Sequence, residues 1–355
     1  MRVDFHFYAI YALARAAGLK PDDAYVIAYS SQYTDDEVSE TAIDFEDGTS
    51  FEPHITAHSL YSLATITGRI CKEVWVPFHF VPGNQGDGDD RMVTKTNGDV
   101  IQGIIKGFLK DFVSVPYSLH LLGIILHAYA DTWSHQNFMG VISHKNKVKE
   151  INIEGAPNDF VENLVTKLGG EYLIPDLGHA EAASIPDEPN RTWNYVNYNG
   201  APFQVKNLDR AVLAAQSCYN LILKFLENTP RLQGKPPLTW QQISVPIAVL
   251  FATKGDLYEC VKAWKTAISN GDIGFTPEGR DVGLNYDVKE WFDNAINTET
   301  PELSEGEGSE HEVRYVKKAN FDNSNLKFFN DAAGTYYSWL FIKTAEGLGL
   351  DQAMI

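Results

Sequence analysis

The sequence predicts a mainly α-helical protein, a multi-helix bundle with long irregular loops, and three observations carry that expectation. Apolar residues recur at helical spacing through most of the chain, and Gly and Pro fall where helices should start and stop. The most hydrophobic stretch, SLHLLGIILHAYADTWSH, has the length of a buried central helix. No internal repeat is visible, and no linker is polar and long enough to force a boundary. One helical domain over 1–355 is therefore expected, with a loop or strand insertion at about 270–320.

Taken in order, residues 4–18 form an aromatic and alanine-rich segment that Gly18 ends, and Pro21-Asp22-Asp23 opens a second helix reaching about Tyr33. Pro53 starts a third helix through about Lys72. The segment VWVPFHFVPG reads as extended, because Pro77 and Pro82 withhold backbone donors and confine it to a sheet edge or a loop. GNQGDGDDRMVTKTNGD is a loop, and a helix around 98–111 precedes the central one, which should stop near Gly140. Residues 170–205 are rich in Pro, Gly, Asn and Tyr without a clear period, which predicts a long irregular crossover that something must hold down. Helices resume at about 206–228, 239–252, 255–269 and 322–346; between the last two, PELSEGEGSEHE reads as an acidic loop and HEVRYVKKA as a strand.

Composition narrows the classes of function. The chain has 355 residues, 44% of them hydrophobic, enough for a large core. Its net charge of −18 repels nucleic acid, and the densest basic run, at 144–149, reads as a solvated turn, so no nucleic-acid partner is expected. Cys71, Cys218 and Cys260 are odd in number and lack CxxC spacing, which argues against a disulfide framework. Asp4, His6 and Arg15 interrupt any signal-peptide core at the N-terminus, so a cytoplasmic protein is expected. Phe112 to Ala130 runs nineteen residues without a formal charge, the length of a membrane span. Pro116, His120 and His127 lie within it, and no second span accompanies it. A buried helix, with no transmembrane segment, is the better reading.

The chemistry concentrates on that helix. His120, His127, Asp131 and His135 follow at intervals of seven, four and four. At about 100° per residue they project within about 80° of one another, a stripe of metal-ligand side chains on an apolar helix. Buried together, three imidazoles and a carboxylate are most simply satisfied by a cation. Other candidates must reach this stripe from afar. His6 sits among Phe5, Phe7 and Tyr8, where a hydrogen-bonded core histidine is the alternative. Asp35 and Asp36 close the second helix, the end at which the helix dipole disfavours carboxylates. His54 and His58 are spaced to share one helical face, and His79 lies in a rigid apolar setting that demands a partner. His179 occupies the crossover, which a metal would anchor; His144 and His311 sit in polar contexts and take no role. The loop Asp87-Gly-Asp89-Asp90 lacks the EF-hand pattern and reads as solvated.

On these residues a resemblance rests. HAYADTWSHQNFMG, with its His-x-x-x-Asp-x-x-x-His, resembles the central helix of the zinc-dependent phospholipase C and S1/P1 nuclease superfamily. DFHFYAIYALARAAG, AYSSQYTDD, VWVPFHFVPG, HAYADTWSHQNF and GHAEAASIPDEP together are similar to a bacterial family of unassigned function, over roughly the first 200 residues. The resemblance implies a bundle of the phospholipase C/P1 nuclease type. His127 and Asp131 match its His-x-x-x-Asp pair, in which the carboxylate bridges metals, and His135 matches the next histidine, although the gap after the Asp is longer in the phospholipases. His6 resembles the early histidine, Asp35 or Asp36 the early carboxylate, and His79 or His58 the histidine after it. The phospholipases ligate metal through the amine of an N-terminal Trp; this chain has Met1 there and offers Asp4 nearby, while His179 or Asp187 stands in for the family's final Glu. His120 matches nothing in the motif and reads as a core residue or a support behind the ligands.

What the resemblance implies is a metal-dependent hydrolase, a phosphoesterase with two or three zinc ions, iron or manganese being possible, and Asp35 or Asp36 orienting or deprotonating a water. A small or membrane-presented substrate suits the acidic surface. A non-haem di-iron oxidoreductase uses similar ligands, and a binding or structural protein whose metal only pins the crossover is the third reading.

Overall fold

The structure is a computed structural model that describes residues 1–58, 68–156, 176–299 and 313–350. Its first element is a π-helical turn, Asp4–Ala9, that runs directly into α1 (Ile10–Ala16), and every residue of both is buried. A segment apolar on all sides belongs in the interior, and this one becomes the centre of the main core. α2 (Pro21–Asp36) begins with proline at its first turn, followed by Asp22 and Asp23, which favour that end of the helix dipole. α3 (Gly68–Ile70) leads into a π-helix, Cys71–His79, and α4 (Asp99–Asp111) buries Val100, Ile101, Ile104, Ile105 and Phe108 along one stripe. α5 (Ser118–Ser134) is the expected central helix. α6 (Asn207–Asn228), α7 (Trp240–Phe251), α8 (Leu257–Asn270), α9 (Glu290–Ala295), α10 (Asn325–Thr335) and α11 (Lys343–Gly347) complete the helical layer around it.

The purely helical expectation is corrected. The chain is 56% helical, and the described residues also form three small antiparallel sheets, so the class is mixed α and β. β1 (Ile43–Asp44) pairs with β2 (Ser50–Phe51), and β6 (Ile296–Glu299) pairs with β7 (Arg314–Lys317), the strand read in HEVRYVKKA. The largest sheet has the order β3 (Val148–Ile153), β4 (Thr192–Asn197), β5 (Pro202–Lys206). β4 and β5 fall in the last part of what reads as an irregular crossover, and β3 precedes it. Trp193 and Tyr195 on β4 and Val205 on β5 turn inward with a period of two, and with Phe80, Phe138, Val148, Ile153, Ala182 and Ile185 they make a second core beside the main one. Exposed Asn194 between Trp193 and Tyr195 is the outward residue of that alternation, which is too short to stand out in the sequence.

Other elements differ in detail. VWVPFHFVPG is helical through His79, where Phe80 N–H donates to Trp75 O at 2.8 Å, a spacing of five. Pro77 is tolerated close to this C-terminus because the wider turn relieves its clash with the carbonyl four residues back. Residues 53–58 are not helical, and the rest of the expected third helix up to Gly68 lies outside the described residues, as do 170–175, the acidic loop and His311. The central helix ends at Ser134, six residues before Gly140.

Gly123 fixes how closely α5 crosses α2. A Cβ there would collide with Ile27 O and stand 2.5 Å from Ser30 Cβ. One turn later His127 reaches Ser31 O, which the close crossing permits. Gly123→Val is expected to force the helices apart at a cost of about 1–3 kcal/mol, measured by denaturant unfolding. An unchanged midpoint would show that the crossing has slack.

Candidate metal centre

The candidate ligands are delivered by several elements. His6 projects from the π-helical turn at 4–9, Asp35 from the last turn of α2, His79 from the end of the π-helix at 71–79, and His127 and Asp131 from α5. His135 caps α5; His179 and Asp187 flank two short 3₁₀ turns, Ala180–Ala182 and Ile185–Asp187. π-Turns are over-represented at functional sites, and here two of them carry imidazoles. These side chains converge as three groups, His6 with His127 and Asp131, Asp35 with His79 and His127, and His135 with His179 and Asp187, the ligand atoms within each lying within 4.8 Å of one another.

The imidazoles are aimed by the backbone. His127 Nδ1–H donates to Ser31 O at 2.7 Å, His79 Nε2–H to Thr56 O at 2.8 Å, His135 Nδ1–H to His79 O at 2.6 Å and His179 Nδ1–H to Ala183 O at 2.9 Å. A carbonyl only accepts, so each ring is fixed in one tautomer with its other nitrogen turned toward the carboxylates. His127 Nε2 then faces His79 Nδ1 at 3.2 Å and Asp131 Oδ2 at 3.3 Å, with Asp35 Oδ1 at 3.7 Å. His135 Nε2 lies 3.1 Å from Asp187 Oδ1, and His179 Nε2 lies 3.3 Å from Asp187 Oδ2. His6 Nε2 is 3.2 Å from Asp131 Oδ1, yet both nitrogens of His6 and Asp131 Oδ2 are buried without a hydrogen-bond partner. The donor set, imidazole and carboxylate with orphaned buried atoms, fits a cluster of divalent cations.

Charge and burial compete throughout. Burial pushes the His127 and His179 imidazoles down to about 4, and burial together with His127 holds His6 well below the usual range. His135 is raised, because Asp131 and Asp187 outweigh its burial. Burial alone would raise Asp131, but His135, the Met1 ammonium, His127 and His6 hold it well below the ordinary carboxylate range. Asp35 moves the other way, raised by burial and by Asp131, Asp36 and Asp187. The Met1 amino nitrogen stands 2.6 Å from Asp131 Oδ1 and 3.2 Å from Asp187 Oδ1, and despite its burial those carboxylates push it up to about 11.

Residues 1–343 match the family of unknown function DUF6765. The chain belongs to that family. No curated protein and no solved structure matches it. Among the DUF6765 chain's candidate residues, His6, Asp35, His79, His127, Asp131, His135 and His179 come together, and Asp36 and His58 do not. Asp36 accepts from Tyr286 Oη at 2.6 Å and from Gln32 Nε2 at 3.1 Å, tying α2 to the segment before α9. His58 meets Glu40 at 2.6 Å, and because 53–58 is not helical it shares no face with His54, whose ring packs on Phe78 and Tyr337. His120 meets Asn325 at 3.0 Å, away from the groups.

Two contributors were only partly legible. Asp187 was one of two stand-ins for a missing Glu, and its position eight residues after His179 is the signal that supports it. The Met1 nitrogen was passed over for Asp4, which instead pairs with Arg2 at 2.8 Å. The carbonyls of Ser31, Thr56, His79 and Ala183, which aim the rings, carry no side-chain signal at all. No helix among the described residues is long and apolar enough to cross a membrane.

Proposed function

We propose that the protein is a metal-dependent hydrolase of phosphoric esters, with two or three zinc-type ions held by His6, Asp35, His79, His127, Asp131, His135, His179 and Asp187. One observation carries it: His79 Nδ1 and His127 Nε2 face each other at 3.2 Å while each ring's other nitrogen donates to a carbonyl. Lone pairs so opposed repel unless a positive charge lies against them, and Asp35 and Asp131 border the same space. Imidazole and carboxylate without thiolate suit zinc, with iron and manganese next. When bound, such ions acidify a water and neutralise the oxygens of a phosphoester.

The chain's own residues divide the remaining work. Asp35, 30% exposed beside rings that are nearly closed off, meets solvent. Its carboxylate oxygens can accept a hydrogen bond from a water and hold it toward the buried groups. Asp131, 1% exposed, lies against His6, His79, His127 and His135 and would balance the charge of a cation that those rings hold. The phosphoester class rests on the likeness of HAYADTWSHQNFMG to the phospholipase C and P1 nuclease helix, and the net charge of −18 favours a small or membrane-presented substrate over long nucleic acid.

Elemental analysis of the purified chain, followed by turnover of a bis-aryl phosphate, phosphatidylcholine and single-stranded nucleic acid, tests this reading. Chelation should abolish turnover of one of these esters, and zinc, manganese or iron(II) should restore it. Absence of bound metal, or turnover indifferent to chelator, would overturn it. Bound iron with oxygen-dependent turnover would move the protein to the di-iron class.

A further inference from the structure

The three ligand groups do not sit equally within the fold. His6, Asp35, His79, His127 and Asp131 all come from helical elements, and Phe5, Phe7, Phe78, Leu126, Ala128 and Ala130 around them belong to the main core. His179 and Asp187 come from the segment that leads into β4, whose neighbours Ala182, Ile185 and Trp193 belong to the second core. His135 alone brings the third group to the end of α5, and its ring stacks on Phe80, a member of that second core, with centroids 4.5 Å apart. The third group therefore lies on the seam between two separately packed cores.

The segment is fastened on both sides of the seam. Toward the sheet, Val148 N–H donates to Glu181 Oε2 at 2.7 Å, and Asp176 O accepts from Ser143 N–H at 2.9 Å and Asn146 Nδ2 at 3.0 Å. Toward the first helix, Asp187 faces the Met1 nitrogen at 3.2 Å and Glu188 faces Arg2 at 3.6 Å. Asn207 Nδ2 donates to Ile185 O at 2.6 Å and to Glu188 O at 3.0 Å, Asn190 Nδ2 donates to Thr253 O at 2.7 Å, and Gly178 N donates to Met139 O at 3.2 Å. Between residues 179 and 187 the backbone forms only two short 3₁₀ turns, joined through Ala183 at φ 50°, a strained value for alanine. Such a stretch has little local stability of its own.

Resting on the metal-centre reading above, we infer that the His135, His179 and Asp187 group binds a divalent cation that fastens the sheet-bearing segment to the helical bundle, and that this ion is the exchangeable one. The ligands of the other two groups are positioned by the main core whether or not an ion is bound. Those of the third come from both sides of the seam, so an ion there adds a fastening between the two cores, and its binding is coupled to the ordering of 176–191.

Graded chelation of the zinc-loaded protein, with metal counted by native mass spectrometry and backbone protection followed by hydrogen exchange, tests this. One ion per chain should leave first. With it, exchange in 176–191 should accelerate at least tenfold, while 21–36 and 118–134 stay protected until the remaining metal leaves. His179→Ala should remove one ion per chain and give the same accelerated exchange in excess zinc; should that variant not fold, the titration of the unaltered chain decides. Ions leaving together, or unchanged protection of 176–191 after the first loss, would overturn the inference while leaving the hydrolase reading intact. A chain that binds no metal would instead remove the hydrolase reading itself.

Discussion

Asp131→Asn is expected to strip metal from the protein and to lower phosphoester turnover by on the order of 10³-fold, the upper end of what removing one preorganised electrostatic contact costs. Asparagine keeps the volume of a side chain that is only 1% exposed, so packing is nearly unchanged and the charge is what is lost. That charge is shared widely, since Asp131 lies within 4 Å of the Met1 nitrogen, His6, His79, His127 and His135. Without it, four imidazoles whose outer nitrogens are fixed or orphaned would converge on a cation with Asp35 and Asp187 as the remaining carboxylates. Asp131→Ala adds a cavity and leaves the buried Met1 ammonium with Asp187 alone, so it should also destabilise the fold by about 3–5 kcal/mol. Metal content by elemental analysis and thermal unfolding with and without chelator separate the two variants. An Asp131→Asn protein that keeps its metal and its turnover would show that the carboxylate is merely a buried counter-charge.

The candidate site was more legible in the sequence than the fold was, and the reason lies in the kind of signal each leaves. His127, Asp131 and His135 stand out because ionisable groups on an apolar helix are costly, and a fixed spacing of four puts them on one face whatever surrounds them. His6, Asp35, His79 and His179 stood out similarly, each misplaced in its local setting. Asp36 shares with Asp35 the helix end that disfavours carboxylates, and His58 shares a face with His54 only if 53–58 is helical; the structure gives Asp36 to Tyr286 and His58 to Glu40. The β-sheet leaves little local signal because its strands are short and its pairing joins Val148 to Asn197 across a long stretch of chain. The helix through His79 escapes the sequence because VWVPFHFVPG reads as extended, with Pro77 and Pro82 confining it to an edge or a loop, whereas a π-turn accommodates the first and the second lies beyond the helix end.

Arg15→Ala is expected to cost about 3–5 kcal/mol, as breaking a buried, hydrogen-bonded ion pair does, and the loss should be read in unfolding rather than in metal content. Arg15 is a charged residue inside α1, fully enclosed, and nothing in its apolar neighbourhood would solvate it. It is satisfied from a distance: Nε donates to Asp281 Oδ1 and Nη2 to Asp281 Oδ2, both at 2.9 Å, while Nη1 donates to Leu19 O. Asp281 has no exposure at all and also accepts from Tyr11 Oη at 2.7 Å and from the Glu278 backbone N–H at 2.8 Å. The pair thus pins the loop before α9 onto the first helix, and five residues later the same loop delivers Tyr286 to Asp36, the neighbour of Asp35. Removing Arg15 leaves a carboxylate in the core with only neutral donors, which is costlier than the pair was favourable. Asp281→Leu alone leaves the guanidinium with Leu19 O and the half-exposed Glu278 at 3.1 Å. In a cycle built from Arg15→Met, Asp281→Leu and their combination, the double variant removes both charges and should recover much of the loss of the single ones, so strong coupling is expected. Additive losses in that cycle would mean that Arg15 acts through its packing alone, and that the loop is held onto the bundle by Tyr25, whose Oη donates to Asn285 O at 3.5 Å, and by Tyr286.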